Sequence, residues 1–280
     1  MTTFSIVIPC YSGPYNNENH NRSKMVQRAI RSVQNQQYPH WELIVVDDGC
    51  VDGCTPQILD KFAEQDSRIK IIHKANEARA IARNAGMEAA KNEWICWLDS
   101  DDEYSSNYLR ALDRAIKLSP EYQIFNFGSI VYHGDGHTSV RPVFRPAEEG
   151  SGHEWFRSGG VGAGSFIFKK SLWKSDPKYR MPDEVNPYQF AAASRIDLRY
   201  AADEPYIDDP QGAFSDGVYR HGLSLGNPWG DDYCQFFYLT RDNHSRALDE
   251  LLYIQHVRST EEDYEYFGEL YNPQDFLNVS

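Results

Sequence analysis

The stretch Trp41-Glu-Leu-Ile-Val-Val-Asp-Asp-Gly-Cys-Val-Asp-Gly-Cys-Thr-Pro56 decides the fold class. Its first six residues form a short apolar run of strand type, and it breaks at an acid pair and a glycine. Thr55-Pro56 then opens a helix to about Gln65, with proline where its missing N–H costs nothing. This strand–turn–helix unit recurs on both sides. Phe4–Ile8 is a strand, and Lys24–Gln37 repeats apolar residues at Met25, Val26, Ala29, Ile30 and Val33, which is helical spacing. Tyr38-Pro39 ends that helix. Ile69–His73 reads as a third strand and the Ala-rich segment Glu77–Lys91 as a helix. Trp94–Leu98 reads as a fourth strand, followed by a helix over Tyr104–Leu118 that Pro120 stops. Four such units in a row predict an α/β fold, a Rossmann-like, mostly parallel central sheet flanked by helices on both faces.

Beyond residue 118 the pattern loosens. Tyr122–Tyr132 and Gly164–Lys169 read as strands, and Asp231–Leu239 and Ala247–Ile254 carry helical spacing. Residues 175–229 are rich in Pro, Gly, Tyr and Asp with weak periodicity, and loops of that length are usually functional or mobile.

Charge narrows the partners. The 280 residues carry a formal −13, and residues 201–280 hold 16 acids against 4 arginines, a net −12. A chain without clustered Lys/Arg is a poor nucleic-acid ligand and a poor binder of anionic lipid. The five cysteines, Cys10, Cys50, Cys54, Cys96 and Cys234, are odd in number and partly within apolar runs, which suits a reduced, cytoplasmic protein. Cys50 and Cys54 lack the second ligand pair that a zinc site needs. No apolar run reaches the roughly 18–20 residues of a transmembrane segment, and Met1–Pro9 reads as a strand rather than as a signal peptide.

In open α/β sheets ligands bind beyond the carboxyl ends of the strands. Three of these ends carry Pro9-Cys10-Tyr11, Asp47-Asp48-Gly49 and Asp99-Ser100-Asp101-Asp102. Paired buried carboxylates repel one another and are costly to desolvate. A hard divalent cation shared with substrate phosphates offsets that cost. The alternative is that the acids cap the helices that follow.

The strings SIVIPCY (5–11), ELIVVDDGCVDGCT (42–55), NEARAIARNAG (76–86) and WICWLDSDD (94–102) resemble the inverting family 2 glycosyltransferases. The usual VVDDGSTDGT keeps its three Asp and both Gly here but has Cys50, Val51 and Cys54 in place of Ser/Thr. In the usual NxGxSxARNxG, Ala78 and Ala80 replace Gly and Ser while Arg83, Asn84 and Gly86 stay.

The resemblance implies a single GT-A domain over residues 1–280. Its nucleotide-sugar half is residues 1–118, and its acceptor half, with the acidic C-terminal segment, is 119–280. It implies a UDP-sugar donor, Mn2+ or Mg2+ as cofactor, and transfer with inversion to a hydroxyl of a glycan, lipid-linked sugar or protein, in glycan or polysaccharide biosynthesis.

It also assigns roles. Pro9 and Tyr11 line the base, Asp48 accepts from the uracil N3–H, and Asp99 with Ser100 lies near the ribose. Asp101, the second acid of D-x-D, holds the metal against the diphosphate. Arg83 either contacts the nucleotide or braces its loop. Pro228-Trp-Gly-Asp231-Asp232-Tyr233 resembles the family's G-E-D-(W/Y) element. That makes Asp232 the base, with Asp231 in the preceding acidic position and as the alternative. Tyr253–Ser259 resembles a late strand whose His256 meets metal or diphosphate, with Arg258 on phosphate. Trp229, beside the proposed base, is the candidate for acceptor stacking, whereas core packing suits Trp155 and Trp173 better. Two rivals remain: a non-catalytic nucleotide-sugar-binding protein, and a sugar-phosphate nucleotidyltransferase, which would need a basic Gly-rich loop after the first strand.

Overall fold

The structure, a computed structural model, describes residues 1–13, 22–77, 79–141, 143, 163–175 and 245–257. Its centre is one nine-stranded sheet. The elements run β1 (Phe4–Cys10), α1 (Arg22–Gln34), β2 (Trp41–Asp47), α2 (Thr55–Gln65), β3 (Ile69–His73), α3 (Arg79–Ala89), β4 (Trp94–Trp97), β5 (Glu103–Tyr104) and α4 (Tyr108–Leu118). Then come β6 (Ile124–His133), β7 (Thr138–Arg141), β8 (Phe166–Lys169), α5 (Lys170–Ser175) and β9 (Ser245–Val257).

The strand order is β3-β2-β1-β4-β8-β6-β9-β5, with β7 on β6. β3, β2, β1 and β4 are mutually parallel, and β6 and β9 are parallel to each other. β8 runs antiparallel between β4 and β6, while β5 and β7 pair antiparallel with β9 and β6. The order 3-2-1-4 puts a topological switch point between β1 and β4, where ligands collect in such sheets.

Residues of β1 alternate between the two faces. Phe4, Ile6, Ile8 and Cys10 pack with Val26, Ala29, Ile30 and Val33 of α1 and Leu109 and Leu112 of α4. Such side chains are each worth about 1.5–3 kcal/mol when fully buried. α3 covers the opposite face. A Cβ on Gly86 would lie 2.3 Å from Val7 Cγ1 and 3.3 Å from Val46 Cγ2, so only glycine lets this helix sit so close.

One expected helix is a strand. Ala247–Ile254 has helical spacing, yet it lies within β9. The register explains why. Phe127 pairs Leu248, but the next residue, Gly128, pairs Leu251, and Ser129 pairs Tyr253. The extra residues break the period of two and mimic a period of three to four. The two-residue β5 and the hairpin strand β7 were too short or too polar to read from pattern.

Candidate active site

At the sheet's carboxyl edge, β1, β2 and β4 deliver the three predicted strand ends side by side. Asp48 N–H donates to Cys10 O at 2.9 Å, and Leu98 N–H donates to Val7 O at 3.1 Å. Pro9 is buried in β1 opposite Val46. Tyr11, half-buried, follows the strand with its ring against Gly13, where a Cβ would collide with the phenol.

Asp47 and Asp48 share a turn but face different partners. Asp47 Oδ1 accepts Cys50 N–H at 2.8 Å and Oδ2 meets His73 Nδ1 at 2.7 Å. Asp48 Oδ1 accepts Lys74 Nζ at 2.9 Å and Glu77 N–H at 3.1 Å. Burial pushes the Asp48 carboxyl above its ordinary pKa, and Lys74 opposes this. Gly49 takes φ +80, the left-handed conformation the turn demands. The acids do not cap α2: Asp52 Oδ1 accepts Thr55 N–H at 2.9 Å instead. Nor do Asp99–Asp102 cap α4, whose N-cap is Asn107. Cys50 Sγ lies 3.9 Å from Cys10 Sγ and accepts Ser12 N–H at 3.1 Å. The neighbouring thiol, together with burial, pushes the Cys50 thiol up, so it stays protonated.

The turn after β4 is held by arginines and by β9. Asp99 Oδ1 accepts Arg83 Nη2 at 2.8 Å. Arg83 is fully buried, with its guanidinium 4.3 Å from the Trp97 ring centroid. Of the two roles expected for Arg83, the ion pair that braces the loop is the one the geometry displays. Ser100 is buried. Arg28 Nη2 donates to Asp101 O at 2.5 Å, and Arg22 Nη1 approaches Asp101 Oδ2 at a long 3.5 Å. Asp102 is buried and accepts Tyr253 O–H at 2.7 Å and His256 N–H at 2.8 Å. Burial first, then the charges of Asp101 and Asp99, push its carboxyl well above the ordinary range. β5, directly after this turn, pairs with Tyr253 and Ile254, so the D-x-D turn is clamped between β4 and β9.

His256 does come to this turn. Its Nε2 meets Glu103 Oε1 at 2.9 Å and its ring stacks on Tyr132 at 5.4 Å. Burial pushes its pKa down, with Arg28 acting in the same direction, so the imidazole is neutral. Among the described residues no group of three or more His, Cys, Asp or Glu side chains is arranged to hold a metal. A partly exposed carboxylate such as Asp101 suits the other pattern, in which one or two protein oxygens bind the cation and phosphates supply the rest.

Asp231, Asp232, Trp229, Trp155 and Arg258 lie outside the described residues, as does the loop 15–21 after β1. Gly164 backs onto the Tyr253 ring, which would overlap any Cβ there. Trp173 is a buried wall residue. The sequence reading missed Lys74, His73, Tyr253 and Arg28. Lys74 was findable, since it follows the carboxyl end of β3.

The sequence model described as "Glycosyl transferase family 2" matches residues 5–173, spanning β1 to α5. The chain belongs to this family. Relatives within it include TuaG of Bacillus subtilis, provisionally named a teichuronic acid biosynthesis glycosyltransferase. It is 34% identical over 38% of this chain and 38% of its own length. The glycosyltransferase GlyG of Streptococcus pneumoniae is 32% identical over 40% of this chain and 35% of its own. The chain thus spans little more than a third of either relative. Among solved structures, S. aureus TarS 1-349 in complex with UDP-GlcNAc aligns with a TM-score of 0.59 at 18% identity. That alignment covers 99% of this chain and 64% of that one. The likeness shows the GT-A fold. No helix among the described residues is long and apolar enough to cross a membrane.

Proposed function

We propose that the chain transfers a sugar, with inversion, from a UDP-sugar to an acceptor hydroxyl in polysaccharide biosynthesis. The observation that carries this is the alignment of Asp48 and Asp99–Asp101 at the carboxyl ends of β2 and β4, on either side of β1 at the switch point. In this reading Pro9 and Tyr11 wall the uracil, Asp48 accepts from its N3–H, and Asp99 and Ser100 face the ribose. Asp101 holds Mn2+ or Mg2+, which offsets the charge of the diphosphate leaving group. His256, whose Nε2 is engaged by Glu103 beside this turn, would meet the metal or diphosphate. Asp232, with Asp231 beside it, takes the proton of the attacking hydroxyl. A carboxylate in a partly apolar cleft suits that task, because desolvation raises its pKa towards working pH. The family supports the reaction class, and TarS with UDP-GlcNAc supports the donor class by fold alone.

Titration calorimetry with UDP in Mn2+ buffer and transfer assays over a panel of UDP-sugars test this. Asp101→Ala should lose the metal-dependent part of UDP binding. Asp232→Asn should keep UDP binding and lose transfer by about 100-fold or more, the scale of a general base. Unchanged UDP affinity in the first, or full turnover in the second, overturns the assignment concerned.

A further inference from the structure

Lys74 stands just past β3, next to the proposed base-reading acid. Its ammonium has three N–H donors, and three acceptors take them: Asp48 Oδ1 at 2.9 Å, Ala75 O at 2.8 Å and Glu77 Oε2 at 2.5 Å. No donor remains for a ligand. Asp48 Oδ1 also receives Glu77 N–H, so both hydrogen bonds to this carboxylate among the described residues fall on the same oxygen. Oδ2 is left as the acceptor. Among the described residues the other charged groups around Asp48 are Glu77, itself paired with Lys74, and Asp47, whose carboxylate is turned to His73 and Cys50 N–H.

We propose that Lys74 is a positioning residue that fixes Asp48 as an ionised acceptor with Oδ2 given to the nucleotide base, and so selects uracil over cytosine. The chemistry of the two bases makes the choice. Uracil presents an N3–H donor, which an ionised carboxylate accepts. Cytosine presents an N3 lone pair, which the carboxylate repels and only a protonated carboxyl satisfies. Burial already raises the Asp48 pKa, and the Lys74 ammonium opposes that rise. Without it, Glu77 becomes an unbalanced negative neighbour that raises the Asp48 pKa further. This rests on the reading of Asp48 as the base acceptor.

The test is competition binding of UDP and CDP to the full chain in Mn2+ buffer, from about pH 6 to about pH 8. The diphosphates titrate alike, so the UDP:CDP ratio isolates the base. In the wild type that ratio should be high and flat with pH. In Lys74→Met UDP binding should weaken about tenfold, the worth of one charge-assisted hydrogen bond. The ratio should also fall as pH falls, because Asp48 then takes up a proton. Lys74→Arg should restore the flat profile, and Glu77→Gln should leave it flat. Lys74→Gln is read in the same way if the Met variant does not fold. A wild-type ratio with a flat profile in both Lys74→Met and Lys74→Gln overturns the proposal. Asp48→Asn separates the two levels: its amide should shift preference towards CDP, and an unchanged preference would instead overturn the role of Asp48 itself.

Discussion

The two acidic turns of the site are built differently. The β2 turn is held by nearby chain: Asp47 is 3 residues from Cys50 and 26 from His73, and Asp48 is 26 from Lys74 and 29 from Glu77. In the β4 turn Asp99 is 16 residues from Arg83, but the two acids that follow are held from across the fold. Asp101 is 73 residues from Arg28, and Asp102 is 151 and 154 residues from Tyr253 and His256. The carboxylates of the first turn take partners from the turn itself and from the end of β3 and the residues after it, while its backbone rests on Cys10 and Ser12. The Asp102 end of the second takes its partners, Tyr253 and His256, from β9. Damage at the β4 turn should therefore reach β9, far away along the chain, while damage at the β2 turn should stay local.

The largest effect is expected at Asp102. Asp102→Ala removes the acceptor of a buried Tyr253 hydroxyl and of the His256 backbone N–H. Leaving both donors without that acceptor should cost about 2–4 kcal/mol in chemical denaturation, although the Tyr253 oxygen still accepts Asp99 N–H at 3.3 Å. Tyr253→Phe deletes one of the two bonds and should cost about 1–2 kcal/mol. Hydrogen exchange should show β9 amides losing protection in Asp102→Ala ahead of those in β1 and β2. Uniform loss, or a variant as stable as wild type, would mean that this turn does not anchor β9.

The β2 turn should give a smaller, more confined response. Gly49 combines φ +80 with a site where a Cβ would lie 2.8 Å from Asn76 N, a backbone atom that cannot easily retreat. Gly49→Ala should therefore cost about 2–3 kcal/mol, from left-handed strain plus the clash. Gly53 is the control: its φ is +74 but a Cβ would meet nothing within 4 Å. Gly53→Ala should cost only the strain, about 1 kcal/mol. Equal losses in the two variants would show that the approach of Asn76 imposes no constraint.

The same contrast explains what could be read from sequence. The four parallel strands β1–β4 and their helices followed from periodicity because each is a short apolar run followed by a helix of regular spacing. Asp47, Asp48 and Asp99–Asp102 followed from the rule about strand ends. What was missed lies at long range or breaks period. β9 looked helical at Ala247–Ile254 because its bulges opposite Phe127–Ser129 insert residues into the period of two. Tyr253 carried no sign of its bond to Asp102, since nothing local relates residues 151 apart. Arg83 was legible as a charge but not as a buried one stacked on Trp97.

The smallest expected effect tests how local the β2 turn is. His73 bridges Asp47 at 2.7 Å and Asp60 of α2 at 2.9 Å. The hydrogen bond to Asp47, then that to Asp60, raises its pKa above the ordinary 6.5, against the opposing pull of burial. A raised folded pKa means the native state holds the proton more tightly than the unfolded chain does. The stabilisation is then fully present below the unfolded value and is lost as pH rises through the folded one. The ring is 44% exposed, so solvent screening limits the gain to about 0.5 kcal/mol or less. The difference in melting temperature between wild type and His73→Gln should be greatest near about pH 5.5 and vanish by about pH 8.5. It should shrink in high salt, as a half-exposed ion pair must. A difference that grows with pH would mean that His73 acts as a neutral hydrogen-bond link, and that the β2 turn is held without its charge.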